Sequence, residues 1–191
     1  MEAIRGDYYT MEKRKYTVED IEALPEGVRA ELFDGEMIMM ASPTTTHQEI
    51  VGWLHLEIAT YIRGKKGKCK VFFAPFAVYI KKDRFNYYEP DLVVICEDER
   101  LDDKGCHGAP DWVVEVVSPS SRKLDYERKL ATYKEVGVRE YWIVDSKKQV
   151  IVVYHLEKSE VPVVYHFGDV IKVGIYPDLE IDSAPLAEIK Y

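Results

Sequence analysis

The segment 112–117 places one carboxylate inside a run of apolar residues that has the length of a β-strand. Successive side chains of an extended chain point to opposite faces, so Glu115 shares a face with Val113 and Val117, and the other face is apolar too. This pattern predicts a strand at the centre of a sheet that is covered on both sides. Because an unpaired buried charge costs several kcal/mol, Glu115 predicts a cationic partner, either a lysine or a metal ion.

The rest of the chain predicts one α/β domain over residues 16–191, preceded by a polar N-terminal extension at 1–15. With 191 residues, 47% of them hydrophobic, the chain is long enough to bury one core. Asp34-Gly35 between apolar runs predicts a tight hairpin turn. Apolar spacing predicts helices at 17–24, 42–64 and 123–136, and strands at 70–80, 87–96, 111–117, 141–145, 149–155, 161–167 and 170–173. The predicted fold is a mixed β-sheet flanked by helices, with additional hairpin strands.

Charge and cysteine content narrow the class of protein. The formal net charge of −8, from 26 basic and 34 acidic residues, argues against a generic, charge-driven nucleic-acid coat. It leaves open an enzyme that neutralises its own carboxylates with a metal ion. Three scattered cysteines do not form a disulfide scaffold, and no apolar segment suggests a signal peptide or a membrane span. We therefore expect a soluble cytoplasmic protein with reduced thiols.

Two more charged residues occupy positions where the pattern favours apolar ones. Asp91 follows Pro90 near the end of a predicted strand, and Lys129 is the one charge on the apolar stripe of the helix at 123–136. Lys129 could instead extend along the helix flank to solvent, and Glu115 could belong to a purely structural ion pair. Together, two carboxylates on neighbouring strands and a lysine are what Mg²⁺-dependent phosphodiester hydrolysis needs. The carboxylates hold the ion, which activates a water, and the lysine orients that water or stabilises developing charge.

These residues, in this order, resemble the PD-(D/E)XK nuclease superfamily and, more closely, the Uma-two family of restriction-endonuclease-like proteins. The similar segments run from about residue 16 to 186 and comprise 31–36, Ser42-Pro43 leading to His47, 89–93, 114–120, 129–133 and 137–145. The resemblance implies an αβββαβ core and Mg²⁺-dependent DNA cleavage, with Mn²⁺ as an alternative ion. It implies that Asp91 and Glu115 are metal ligands and that Glu31 is the additional acidic residue of the catalytic site that many superfamily members have.

The sequence departs from the superfamily pattern at one position. The usual lysine, two residues after the second carboxylate, is replaced here by Val117. The superfamily tolerates a lysine that has moved to the following helix, and Lys129 is the candidate for that role. If Lys129 points elsewhere, catalytic activity is not expected.

Other residues have competing interpretations. Asp111 also follows a proline, but it reads as a strand-end residue rather than a ligand. His47 and Tyr133 are secondary candidates; His47 could contact substrate or be a structural histidine. Zinc binding by Cys96, Cys106 and His107 lacks a CxxC motif and a fourth ligand. Ser118 and Ser120 lack the context of a catalytic serine and instead suggest a turn.

Two functions are consistent with these observations. The first is a Mg²⁺-dependent DNA endonuclease that binds DNA weakly and in a salt-sensitive way, and that acts as a homodimer to cut both strands. The second is a catalytically inactive nuclease-fold module that binds nucleic acid or a protein. Convergence of Asp91, Glu115 and Lys129 in one cleft would favour the first. Phosphate contacts could come from three basic groups, at 63–70, 81–84 and 122–128, if they gather around that cleft.

Overall fold

The computed structural model describes residues 14–118, 121–159 and 161–189. Almost all of the predicted N-terminal extension at 1–15 therefore lies outside the described residues, as do Pro119 and Ser120 of the predicted turn. The helices are α1 (Val18–Glu22), α2 (Thr45–Gly64), α3 (Leu130–Val136) and α4 (Ala184–Ala187), with a 3₁₀ turn at Asp98–Arg100 and a π-helical segment at Leu124–Lys129. The strands are β1 (Ala30–Phe33), β2 (Glu36–Met39), β3 (Lys70–Phe73), β4 (Val78–Tyr79), β5 (Leu92–Ile95), β6 (Leu101–Asp102), β7 (Gly105–His107), β8 (Trp112–Val116), β9 (Glu140–Asp145), β10 (Val150–His155), β11 (Val163–His166), β12 (Val170–Lys172) and β13 (Glu180–Asp182).

Local sequence signals account for several element ends. Thr17 caps α1, and its backbone N–H donates to Asp20 Oδ2 at 2.8 Å, as in a capping box. Asp34 and Gly35 both have positive φ, at 51° and 85°, which is the geometry of the tight turn predicted between β1 and β2. Gly137 ends α3 in the left-handed conformation.

A six-stranded mixed sheet forms the centre of the fold, with the strand order β11-β10-β9-β8-β5-β3. Strands β3, β5 and β8 are antiparallel, and β8 pairs in parallel with β9. The chain order α2-β3-β5-β8-α3-β9 is the αβββαβ core that the resemblance implied. The predicted fold class is therefore confirmed, including the additional hairpin strands β1–β2 and β9–β10–β11.

Both faces of this sheet are covered, as the apolar strand at 112–117 predicted. On one face, α2 packs Leu54 and Ile58 onto Val114, and β12, β13 and α4 complete the same core. On the other face, Tyr133 of α3 packs in the same cluster as Val113. Glu115 lies between Val113 and Val117 on the face that packs against this second core, so the sheet and α3 together bury its carboxylate.

The structure differs from the predicted elements in a few places. The predicted strand at 70–80 is divided into β3 and β4, because Pro75 cannot donate to the ladder; the peptide bond before it is cis. The segment between the predicted strands at 87–96 and 111–117, which was expected to be a loop, contains β6 and β7. These two strands form a small sheet with β4. The predicted helix at 123–136 contains the π-helical segment before α3.

The expectation of reduced thiols is wrong for two of the three cysteines. Cys69 and Cys96 are joined by a disulfide, whereas Cys106 is free and buried. Cys69 directly precedes β3 and Cys96 directly follows β5, and the register Lys70↔Ile95 makes the two cysteines cross-strand neighbours. This proximity is a consequence of strand pairing, which cysteine spacing alone does not reveal.

A membrane-crossing helix is absent from the described part of the chain, since none of its helices combines sufficient length with sufficient apolar character.

Candidate active site

All four predicted catalytic residues line one cleft of about 740 Å³. The cleft lies where β5 begins and β8 ends in the central sheet. The four residues come from four elements: Glu31 from β1, Asp91 directly before β5, Glu115 from β8, and Lys129 from the π-helical segment. His47, in the first turn of α2, lines the same cleft. The convergence that would favour an enzyme over an inactive module is therefore present.

Strand pairing brings the two predicted metal ligands together. Leu92 of β5 pairs with Val114 of β8, so continuing the antiparallel register by one residue sets Asp91 opposite Glu115. The backbone N–H of Val116 donates to Asp91 Oδ2 at 2.7 Å. His47 Nε2 lies 3.1 Å from the same oxygen, so Asp91 is oriented from both β8 and α2.

Glu115 is held by two donors on a single carboxylate oxygen. Lys129 Nζ and the Tyr133 hydroxyl each donate to Glu115 Oε1 at 2.9 Å. Burial is the main cause that raises the pKa of Glu115 well above its ordinary value, and the Lys129 charge opposes it. Burial beside Glu115 also raises the pKa of Tyr133, so this hydroxyl stays protonated and remains a donor.

Lys129 is enclosed by carboxylates and does not extend to solvent, since its side chain is only 4% exposed. Besides Glu115, its Nζ lies 3.1 Å from Glu31 Oε1 and 3.8 Å from Asp125 Oδ1. Burial alone would lower the pKa of Lys129, but the surrounding carboxylates raise it well above the ordinary value. The carboxylates therefore favour the ammonium form of Lys129, which can stabilise negative charge.

Asp125 is a member of this cluster that the sequence analysis missed. Its side chain is 2% exposed, it lines the cleft, and its Oδ1 has no hydrogen-bond partner among the described residues. Burial raises the pKa of Asp125 to about 6, although the Lys129 charge opposes this shift. The signal was present in the sequence, because a residue four positions before Lys129 lies on the same helix face.

A second set of contacts fixes Glu31. Its Oε1 accepts the backbone N–H of Glu89 at 2.9 Å. Glu89 in turn accepts from Arg29 Nε at 2.7 Å and from the Tyr87 hydroxyl at 2.8 Å. Glu31 is thus anchored to the segment that leads into Asp91, which links the hairpin β1–β2 to the central sheet.

The donor chemistry of the cleft fits Mg²⁺. Asp91 and Glu115 supply hard carboxylate oxygens, and Asp91 Oδ1 and Glu115 Oε2 form no hydrogen bond with any described residue. No set of three or more His, Cys, Asp or Glu side chains within the described ranges is arranged to hold a metal. Mg²⁺ typically binds through one or two carboxylates and keeps waters or substrate phosphates as its other ligands, so a two-carboxylate site suits it.

Of the residues with competing assignments, Asp111, Cys96, Cys106 and His107 do not line this cleft, whereas Ser118 does. Asp111 Oδ2 accepts the backbone N–H of Cys96 at 2.8 Å and its Oδ1 lies 3.4 Å from Arg139, so Asp111 is a strand-end residue as predicted. Cys96 is committed to the disulfide, which removes it from a zinc site. Ser118 Oγ hydrogen-bonds Ser121 Oγ at 3.0 Å, which fits a turn.

The cleft carries an excess of acidic groups. Five acidic side chains line it, against the three basic ones of Arg29, Lys129 and Lys147. None of the lysines and arginines in the three basic groups at 63–70, 81–84 and 122–128 lines this cleft. Several of their members form ion pairs elsewhere, for example Lys81 with Glu135 at 3.0 Å and Arg128 with Glu36 at 2.8 Å.

Comparison with known proteins gives a family and a fold. The family model Uma2, described as "putative restriction endonuclease", matches residues 18–184. Among solved structures, the chain is similar to a protein from Anabaena variabilis ATCC 29413, described as a putative nuclease belonging to DUF820, with a TM-score of 0.72 and 18% sequence identity. The similarity covers 89% of this chain and 96% of that protein. No curated protein matches the sequence.

Proposed function

Because the chain belongs to the Uma2 family, we propose that it is a metal-dependent endonuclease that hydrolyses phosphodiester bonds in DNA. The observation that carries this proposal is the convergence of Asp91, Glu115, Glu31 and Lys129 in one cleft. The similarity of the fold to that of a protein described as a "putative nuclease" agrees with it.

Asp91 and Glu115 would hold the metal ion, with Mg²⁺ as the first choice and Mn²⁺ as the alternative. When bound, the ion would polarise the scissile phosphate and lower the pKa of a water molecule to supply the nucleophile. The Val116 N–H and His47 keep the Asp91 carboxylate in place for this task. Tyr133 and Lys129 do the same for Glu115 by occupying Oε1.

Lys129 would act through its fixed charge. Its ammonium lies between Glu115 and Glu31 and stays protonated, so it would stabilise negative charge that develops on the phosphate in the transition state. Glu31 would act as a positioning residue, since it contacts the Lys129 ammonium and is itself anchored to Glu89. The lysine missing from position 117 is thus supplied from the following helix.

The decisive experiment compares metal binding and DNA nicking in matched variants. We expect wild-type protein to bind Mg²⁺ or Mn²⁺ by isothermal titration calorimetry and to nick supercoiled plasmid. Glu115→Gln and Asp91→Asn should each lose the binding heat and the nicking. Asp111→Asn is the control, because it alters a buried carboxylate of the same sheet that lies outside the cleft. Undiminished nicking by both cleft variants would refute the assignment.

A catalytically inactive nuclease-fold module is the second candidate function. The favouring observation is that Lys129 Nζ lies 2.9 Å from Glu115 Oε1, so the lysine itself can offset the charge of this carboxylate. Absence of metal binding by folded wild-type protein would select this second function.

The acidic composition supports weak DNA binding, and the few phosphate contacts that basic residues can make would be screened by salt. One site in each chain would cut one strand, so cleavage of both strands would use two copies. The homodimer remains a prediction, which sedimentation of the protein with and without DNA would test.

A further inference from the structure

Two of the three basic side chains that line the cleft are already engaged by carboxylates. Arg29 lies 2.6 Å from Glu89, and Lys129 is surrounded by Glu115, Glu31 and Asp125. Lys147 differs, because it is exposed and has no ion-pair partner among the described residues. It is the cleft-lining cation whose charge remains available to an entering anion.

Strand pairing explains why Lys147 reaches this cleft. β8 and β9 run in parallel, with Val116 beside Val144, and the Val117 N–H donates to the Val144 carbonyl at 2.9 Å. Parallel strands end at the same edge of a sheet, so the turn after β9 emerges beside the end of β8, which carries Glu115. Ser146 and Lys147, the first residues of this turn, line the cleft.

The turn that carries Lys147 is held in place from both sides. The Arg122 guanidinium binds both carboxylate oxygens of Asp145, whose side chain is 1% exposed. Asp145 Oδ1 also accepts the Lys148 backbone N–H at 3.2 Å, and the Gln149 N–H donates to the Ser146 carbonyl at 3.3 Å. A fixed backbone limits the entropy lost when a flexible lysine side chain binds a ligand.

We propose that Lys147 is a substrate-binding residue that contacts a backbone phosphate of the nucleic-acid strand beside the metal site. The inference rests on the proposed function, since it assumes a phosphodiester substrate in this cleft. The excess of acidic lining residues makes an unpaired cation at the rim necessary for binding a polyanion. Phosphate contacts of this kind position a strand without reading its sequence, so the effect of Lys147 is independent of base sequence.

The test measures how DNA affinity depends on salt. A fluorescein-labelled DNA duplex is titrated with wild-type protein, Lys147→Ala, Lys147→Arg and Lys148→Ala by fluorescence anisotropy, in buffer with Ca²⁺ and 50–200 mM KCl. Lys148→Ala is the matched control, because Lys148 is the adjacent exposed lysine and does not line the cleft. Circular dichroism verifies that each variant is folded.

We expect Lys147→Ala to lower the steepness of log K against log[KCl] by about 1, and to weaken binding about 5- to 10-fold at 0.1 M salt. Lys147→Arg should retain most of the affinity, and Lys148→Ala should resemble wild type. Equal salt dependence for the two alanine variants would overturn the role of Lys147 while leaving the nuclease proposal intact. Absence of DNA binding and of nicking by the wild-type protein would overturn both.

Discussion

The Lys129 ammonium donates a 2.9 Å hydrogen bond to Glu115 Oε1, and both side chains are almost completely excluded from solvent. One residue belongs to the central strand of the sheet and the other to the helix packed against it. Packing of the helix against the sheet therefore also brings together two residues of the candidate active site.

Removal of the lysine should be strongly destabilising. Lys129→Met leaves Glu115, Glu31 and Asp125 buried without a cation, and breaking a buried pair of this kind costs about 3–5 kcal/mol. Urea denaturation followed by circular dichroism, at pH 8 with EDTA, measures this loss. Lys123→Met, an exposed lysine just before the same helical segment, should change stability by less than about 0.5 kcal/mol.

The double variant Lys129→Met, Glu115→Gln tests whether the cost comes from the uncompensated carboxylate. It should be less destabilised than the sum of the two single variants, because the amide carries no charge. Additive effects would contradict an energetic coupling between the two residues.

Asp125 should make the stability of the metal-free protein depend on pH. Its pKa rises from 3.8 to about 6 on folding, so the folded state binds more protons between these values and its stability falls as pH rises through them. Asp125→Asn removes the ionised form and should stabilise the protein by about 3 kcal/mol at pH 8, with the gain vanishing below about pH 4. Urea midpoints measured between pH 4 and 8 in EDTA provide the test.

Asp103→Asn is the control for this series, because Asp103 is exposed. A gain from Asp125→Asn that stays constant over the whole pH range would be inconsistent with a raised carboxyl pKa.

The Tyr133 hydroxyl should contribute to stability through Glu115. Tyr133→Phe removes a buried donor to a charged acceptor, and we expect a loss of about 1.5–3 kcal/mol. In Tyr154→Phe, the hydroxyl removed has no hydrogen bond to any described residue, so this variant should be close to neutral. Similar thermal melting of the two variants would show that the Tyr133 hydroxyl contributes nothing.

The disulfide can be tested by counting thiols. Denatured, non-reduced protein should have one thiol that reacts with Ellman's reagent, from Cys106, and reduced protein should have three. Since Cys69 and Cys96 are 27 residues apart, chain entropy predicts that Cys69→Ser, Cys96→Ser lowers the unfolding free energy by about 3.5 kcal/mol. Three reactive thiols before reduction would contradict the bond.

Alternation and helical spacing, which are local, predicted the central strands and singled out Glu115 and Lys129, whereas Glu31 and the αβββαβ order came from the family resemblance. Glu115 and Lys129 were chosen as candidates because each is a charged residue in an otherwise apolar segment, and the structure brings them into contact. The disulfide and the position of Lys147 could not be predicted in this way, because each depends on strand register between segments distant along the chain. Asp125 was not predicted, because the apolar stripe that marks the buried face of this helix begins at Tyr126, one residue later.

The basic groups identified along the chain show the same limit. Their spacing gave no indication of which residues form surface ion pairs and which face the cleft, and Lys81, for example, lies 3.0 Å from Glu135. Which charged side chains remain unpaired at the cleft depends on the ion pairs that form in the folded protein. Composition alone does not give their number.

The location of the lysine on a helix, and not on the strand beside Glu115, has a consequence for the newly synthesised protein. A lysine at position 117 would accompany the carboxylate as soon as that strand formed. With Lys129, the cation reaches Glu115 only when the helical segment packs against the sheet. A partly folded chain in which this packing has not formed therefore lacks the assembled candidate site.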